Sequence, residues 1–217
     1  MWERLPVGGS GTAKRSYPTF VPPLPPRSLK SAGTRQLLIE LARRQFVARG
    51  YSAVSMRDIA IAAELTTGAV YGHFRSKGQL LVEVIRWTMA AQDETIDYRD
   101  AATDPARGVE LMHNQIGRDL RALEVDAAAA ARHDPEIAAG LISLYTERHE
   151  RIRAVVAELD DPDTAAWIIA ALTGGIGMKE STGLRSPDDD RLNAALLGVV
   201  NGLMAVRPAG EHIGETR

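Results

Sequence analysis

At 217 residues the chain is long enough to bury a substantial core, and the absence of cysteine excludes a disulfide framework, a thiolate zinc site and a thiol nucleophile, leaving the cytoplasm as the expected compartment. Its 3 Trp, 5 Tyr and 3 Phe favour helices packed by Ala, Leu and Val over strands, and no apolar run reaches the roughly 18 residues of a membrane helix. The net charge of −2 hides an asymmetry: residues 1–90 hold 13 Lys/Arg against 5 Asp/Glu, whereas residues 91–217 hold 13 against 23, so a basic front half suited to a polyanion precedes an acidic back half.

Residues 1–33 lack periodicity, contain Gly8-Gly9-Ser10-Gly11 and crowd five prolines between Pro18 and Pro26, a composition that predicts a disordered, Pro-rich, basic arm. Leu37, Leu38, Leu41, Ala42 and Phe46 then recur at helical spacing, predicting a helix from Thr34 or Arg35 to about Ala48 with Gly50 past its end. Ser55-Met56-Arg57-Asp58 offers a capping hydroxyl and an acidic residue three positions on, ahead of Ile59 and Ala63, and predicts a short helix stopping near Ala63 or Glu64. Thr66 caps a third short helix in which Ala69, Val70 and Phe74 face inward, and Ser76-x-x-Gln79 opens a fourth through Leu80, Leu81, Val84 and Ile85. In the back half Asp104-Pro105, Asp134-Pro135, Asp161-Pro162 and Ser186-Pro187 each set a capping side chain before a proline at the first helical position, where proline holds its predecessor in the extended state a cap needs. Behind them run apolar stripes: Val109, Met112, Ile116, Leu120 and Leu123; Ile137 through Leu159; and Leu192, Ala195, Leu196, Val199 and Leu203, with Gly198 and Gly202 allowing close helix approach. The expected fold is all-α.

Two short helices joined by a tight turn are the minimum that sets a recognition helix in the major groove. Here the third helix carries Thr66, Thr67, Gly68, Tyr71 and His73 on its polar side. The stretch Thr34-Arg35-Gln36 through Phe46, Gly50-Tyr51, Ser55-Met56-Arg57-Asp58-Ile59-Ala60, Ala63 and Thr66 through Lys77 resembles the TetR family of transcriptional regulators. The resemblance implies a helix-turn-helix DNA-binding domain over residues 34–81 and a larger helical ligand-binding and dimerisation domain over residues 82–217. It also implies that Ser55 and Arg57 meet the phosphate backbone, that Thr66 caps the third helix within the DNA-binding surface, and that Thr67 and Gly68 approach the bases. Tyr71 and His73 look like the family's phosphate-contacting aromatic pair, and Lys77 like a further phosphate anchor. Glu64 stands where the family usually has glycine; a glutamate pays a steric penalty at positive φ and adds negative charge near DNA, so either the turn takes another shape or affinity is trimmed.

Reading two half-sites about one DNA turn apart requires a dimer. Residues 164–178 and 188–205 are rich enough in apolar and small side chains to supply one, with Trp167, Leu192, Leu196, Val199, Val200 and Leu203 as the interface candidates. The family implies a small-molecule effector, for which Trp87, Met112, Tyr145, His149 and Trp167 are the candidate pocket residues. The chain lacks a Gly-x-Ser-x-Gly elbow, a phosphate-binding loop and His-Glu-x-x-His, and the acidic run Asp188-Asp189-Asp190 reads as helix-start charge. No catalytic residue, metal or other cofactor is therefore expected. The partners expected are a palindromic duplex operator, a second copy of the chain and the effector, with no membrane. The function expected is a dimeric repressor released from its operator by that effector; the alternative is an all-α interaction protein whose helix-turn-helix no longer reads DNA.

Overall fold

A computed structural model describes residues 31–95, 114–157, 159–184 and 189–205, and every regular element among them is α-helical. In chain order these are α1 (Ser31–Arg49), α2 (Met56–Ala62), α3 (Thr67–Tyr71), α4 (Lys77–Thr95), α5 (Gln115–Ala131), α6 (Pro135–Val155), α7 (Pro162–Ser181) and α8 (Asp189–Ala205). The Pro-rich run, Asp104-Pro105, Met112 and Ser186-Pro187 lie outside the described residues. Helix α1 begins at Ser31, three residues earlier than its apolar stripe predicts, because Ser31-Ala32-Gly33 holds no proline to halt backward propagation.

Local hydrogen bonds set the helix ends. The Ser55 hydroxyl accepts from the Asp58 N–H at 3.2 Å while the Asp58 carboxylate accepts from the Ser55 N–H at 2.8 Å, closing a capping box at the start of α2. At the other end of α2 the Leu65 N–H reaches the Ala60 carbonyl at 2.9 Å and the Glu64 N–H reaches that of Ile61 at 3.1 Å. These are the two bonds of a Schellman motif, in which Glu64 occupies the left-handed position at φ 55°. Thr66 accepts from the Ala69 N–H at 3.1 Å to start α3. Ser76 accepts from the Gln79 N–H at 2.8 Å, but the Gln79 amide oxygen accepts from Arg75 rather than from Ser76 itself. Asp134 and Asp161 cap α6 and α7 from directly before a proline.

A continuous apolar core gathers Leu38, Ala42 and Phe46 of α1, Ile59 of α2, Val70 of α3 and Phe74 beyond it. The same core continues through Leu80, Leu81, Val84 and Ile85 of α4 to Leu120, Leu123, Ile137, Leu141 and Leu144. Each of the fully buried large side chains contributes about 1.5–3 kcal/mol of burial. The core crosses residue 81 unbroken, carried by α4, which packs on α1 on one side and on α5 and α6 on the other. Close contacts set the spacing of these helices: a Cβ at Gly140 of α6 would lie 2.7 Å from both Val82 methyls, and one at Gly177 of α7 would lie 3.2 Å from the Arg121 carbonyl oxygen of α5. A smaller cluster of Val156, Ala165 and Ala166 joins α7 to the end of α6. Helix α8 makes only scattered contact with the other described helices. Nothing lies within 4 Å of a Cβ built at Gly198 or Gly202, so the close approach those glycines predict is not made within the described part of one chain.

Candidate nucleic-acid interface

Helix α2 packs between α1 and α3, and the Schellman turn through Glu64 sets the angle at which α3 leaves it. Val70 and Phe74 anchor α3 from below, at 0% and 1% exposure, which turns the remaining face outward. Ala69 is exposed rather than inward as expected, since a helix of five residues has room for one buried position per turn. On the outer surface stand exposed Ser55 and Arg57 of the α2 start, exposed Thr66 and Gly68, half-buried Thr67 and His73, and Tyr71 at 50% exposure. Gly68 keeps the first turn of α3 thin, and a Cβ there would meet only the Thr66 hydroxyl, at 3.9 Å. The face therefore offers hydroxyls and N–H groups at a helix N-terminus, a phenol and an imidazole, all donors suited to phosphate oxygens and base edges.

Two members of the expected set carry a second duty. The Ser55 hydroxyl donates to the Asp58 carboxylate at 2.7 Å, and these hydrogen bonds from Ser55 hold the Asp58 carboxyl below its ordinary range. The Lys77 ammonium donates to the carbonyls of Tyr51 and Val54, at 2.9 and 3.0 Å, and sits 4.1 Å from the centre of the Tyr51 ring. Partial burial lowers its pKa. Lys77 thus fastens the start of α4 to the loop between α1 and α2, the loop that presents Ser55.

In the back half the candidate pocket residues do not converge. Trp87 packs on the core with the Arg43 guanidinium 5.8 Å from its ring centre. His149 pairs with Asp163 at 2.9 Å, and Trp167 is 67% exposed on the outer side of α7. Tyr145 lies at the surface of α6, its phenol pushed up by partial burial and then by the Glu124 carboxylate. Of the interface candidates, Leu196 is buried, Leu192 half-buried and Val199 exposed, while the side chains of Val200 and Leu203 lie outside the described part.

A narrow crevice of about 10 Å³, room for about one water, lies among α4, α5, α6 and α7, lined by Gln92, Gly117, Leu120, Arg121, Glu124, Arg148 and Thr173. Its charges come in pairs: Arg148 donates to Glu124 at 3.1 Å, and Arg121 makes a two-pronged contact with Glu180 at 2.8 and 2.7 Å. Burial pushes the Glu124 carboxyl up, with Arg148 and then Arg121 opposing. Apolar periodicity passes over these residues because it looks for hydrophobic positions. The signal that finds them is a charge inside the apolar register: Glu124 four residues after Leu120, and Arg148 midway between Leu144 and Ile152. Among the described residues no group of three or more His, Cys, Asp or Glu is placed to hold a metal ion, and no helix is long and apolar enough to cross a membrane.

Residues 38–84, the stretch that builds this helix-turn-helix and the start of α4, match the family described as bacterial regulatory proteins, tetR family. Residues 38–84 thus form a DNA-binding region of the TetR type. Over 78 residues the chain is 37% identical to the HTH-type transcriptional repressor KstR2 of Mycolicibacterium smegmatis, a match covering 34% of the chain and 37% of that relative. The chain thus spans little more than a third of the length of that relative. The fold likeness extends further. A transcriptional regulator from Saccharomonospora viridis in complex with choline superposes with a TM-score of 0.66 at 23% identity, covering 81% of this chain and 100% of that one. The multidrug binding protein EbrR complexed with imidazole gives 0.59 at 22% identity, covering 81% of this chain and 97% of that one.

Proposed function

We propose that this chain is a homodimeric repressor of the TetR family that reads a two-fold-symmetric operator through α3 and is released from it by a small molecule. The observation that carries this reading is the α2–turn–α3 unit: α3 is capped by Thr66, anchored by Val70 and Phe74, and turned so that Thr67, Gly68, Tyr71 and His73 face outward beside Ser55 and Arg57. Glu64 adopts the conformation a glycine would take, so the reading head keeps the shape of a working helix-turn-helix. The dimer reading is supported by the outer side of α7, where Trp167, Ala171, Gly174 and Met178 follow at spacings of four, three and four and are all exposed, and by Ala195, Gly198 and Val199 on α8. Trp167 belongs with this surface rather than with a pocket. The effector is assigned to the seam around the charged crevice rather than to the aromatic set, since a ligand there meets Arg121, Glu124 and Arg148 and enters only by breaking their existing pairs and widening a space that now holds about one water. Choline and imidazole, present in the two structures of like fold, are the first probes for it.

The test is selection from a random duplex library at physiological salt. Enrichment of an inverted repeat, weakened by Tyr71→Ala and by rising salt, supports the dimeric repressor. Enrichment of no site, with Tyr71→Ala behaving as the unmodified protein, replaces it with an interaction protein.

A further inference from the structure

The α1–α5 seam is built from ions where an apolar contact would serve stability as well. Arg43 of α1 is 8% exposed, Glu40 is 6% and Asp119 of α5 is 7%. The guanidinium uses all three of its nitrogens: Nε and Nη2 donate to the two Glu40 carboxylate oxygens at 3.0 and 2.9 Å, and Nη1 donates to Asp119 Oδ2. Each carboxylate is fixed again from outside, Glu40 by Arg44 Nε at 2.8 Å and Asp119 by Gln115 Nε2 at 2.6 Å. Burial pulls the Arg43 guanidinium toward losing its proton, but Glu40 and Asp119 outweigh it and hold the cation charged. A second contact runs along the same seam, where the Tyr51 N–H donates to Asp126 of α5 at 2.6 Å.

Stability does not account for this choice. Buried ion pairs give back much of their attraction as desolvation, and apolar replacements of like volume are often as stable. Direction accounts for it: a planar guanidinium held by two carboxylates on two helices accepts one mutual angle, whereas packed methyl groups slide. Helix α1 carries the α2–α3 head, so the angle set at Arg43 is the angle at which α3 is presented.

We propose that Arg43, clamped between Glu40 and Asp119, is a positioning residue that fixes the reading head on α5 and thereby the half-site spacing the protein accepts. This inference rests on the dimeric operator reading. None of the three residues belongs to the DNA-facing surface, so base preference and salt slope do not depend on them.

The experiment uses full-length protein and a duplex library in which the selected half-site is repeated in inverted order with the intervening spacer varied one base pair at a time. The unmodified protein enriches one spacing. Arg43→Met and Asp119→Asn keep the half-site sequence and the salt slope, but their preference for that spacing over its neighbours falls about tenfold, the equivalent of one charged hydrogen bond. Loss of fold does not blur the result, because the combined Glu40→Leu/Arg43→Met/Asp119→Leu variant restores an apolar seam and is expected to show the same spread of spacings at unmodified melting temperature. Folded variants that keep the single sharp spacing overturn the positioning role and leave the repressor reading intact. Failure of the unmodified protein to enrich any inverted repeat overturns both.

Discussion

Lys77 offers the sharpest separation of a structural from a DNA-binding role, because both predict a defect on substitution but in different observables. In Lys77→Met the carbonyls of Tyr51 and Val54 lose a cationic donor at 2.9 and 3.0 Å, and the Tyr51 ring loses the ammonium 4.1 Å from its centre. Hydrogen bonds to a charged group contribute about 1.5–3 kcal/mol each and an exposed cation–π contact about 0.5–1 kcal/mol. Water reaches this half-buried site and re-satisfies the carbonyls in part, and the ammonium sheds its own desolvation cost, so the net loss is set at about 2 kcal/mol. For a protein of this length that lowers Tm by about 4–8 °C. The assay is thermal unfolding followed by circular dichroism with no DNA present, paired with the salt dependence of operator affinity. A lysine serving phosphate alone leaves Tm within about 1 °C of the unmodified protein while the slope of log affinity against log salt falls by about one. That outcome would refute the carbonyl clamp. A fall in Tm establishes it, whatever the slope does.

Gly140→Ala places a methyl group 2.7 Å from both Val82 methyls, and valine on a helix has no second rotamer to retreat into, so it lowers stability by about 1–2 kcal/mol in denaturant titration even after the gain in helix propensity. Glu64→Gly and Glu64→Ala both remove the side chain, but only the first relieves the left-handed backbone at φ 55°, so glycine exceeds alanine in unfolding free energy by about 1 kcal/mol in the same titration. The Asp58 carboxyl is held low by Ser55, so its folded pKa lies below its unfolded one; the capping box is at full strength above the unfolded pKa and is lost as pH falls through the folded one. The Tm gap between unmodified protein and Asp58→Asn is therefore constant from neutrality to about pH 5 and closes under stronger acid, whereas a gap independent of pH contradicts the assignment.

What the sequence made legible was chemistry that acts within a few residues. Ser55, Thr66, Asp134 and Asp161 cap helices through bonds that reach two or three positions along the chain, so the starts of α2, α3, α6 and α7 were readable without any knowledge of packing. The sequence leaves the conformation of Glu64 open between two turn shapes, and the structure decides it at φ 55°. The clamp made by Lys77 was not readable, because its carbonyl partners stand 26 and 23 residues away and no local pattern points to them. The same holds for Arg43 and Asp119, separated by 76 residues. Trp167 illustrates a different limit. On a helix apolar on every side, periodicity gives no preference between a cavity and an interface, and only the packing of Ala165 and Ala166 inward decides that Trp167 faces out.

The two faces of α7 bear on how the proposed effector acts. Its inner face meets α5 so closely that a Cβ at Gly177 would lie 2.8 Å from the Arg121 Cβ, and Glu180 holds the Arg121 guanidinium from one turn further on. Its outer face, through Trp167, Gly174 and Met178, is exposed and is the one proposed to meet a second copy. In the proposed dimer, a molecule entering the crevice and competing for Arg121 would push on both helices, while α7 would be held from its far side by the second copy. Helix α5 is the element with freedom to yield. Two residues before Arg121 it carries Asp119, so the displacement that admits the effector arrives directly at the contact that orients Arg43 and the reading head. An effector acts only through differential affinity for two arrangements, and the Arg121–Glu180 pair, intact in this structure, is the contact such a ligand would have to break. Arg121→Met, which removes that pair without filling the crevice, is accordingly expected to weaken operator binding in the absence of any effector. Unchanged operator affinity in that variant would remove α5 from the route.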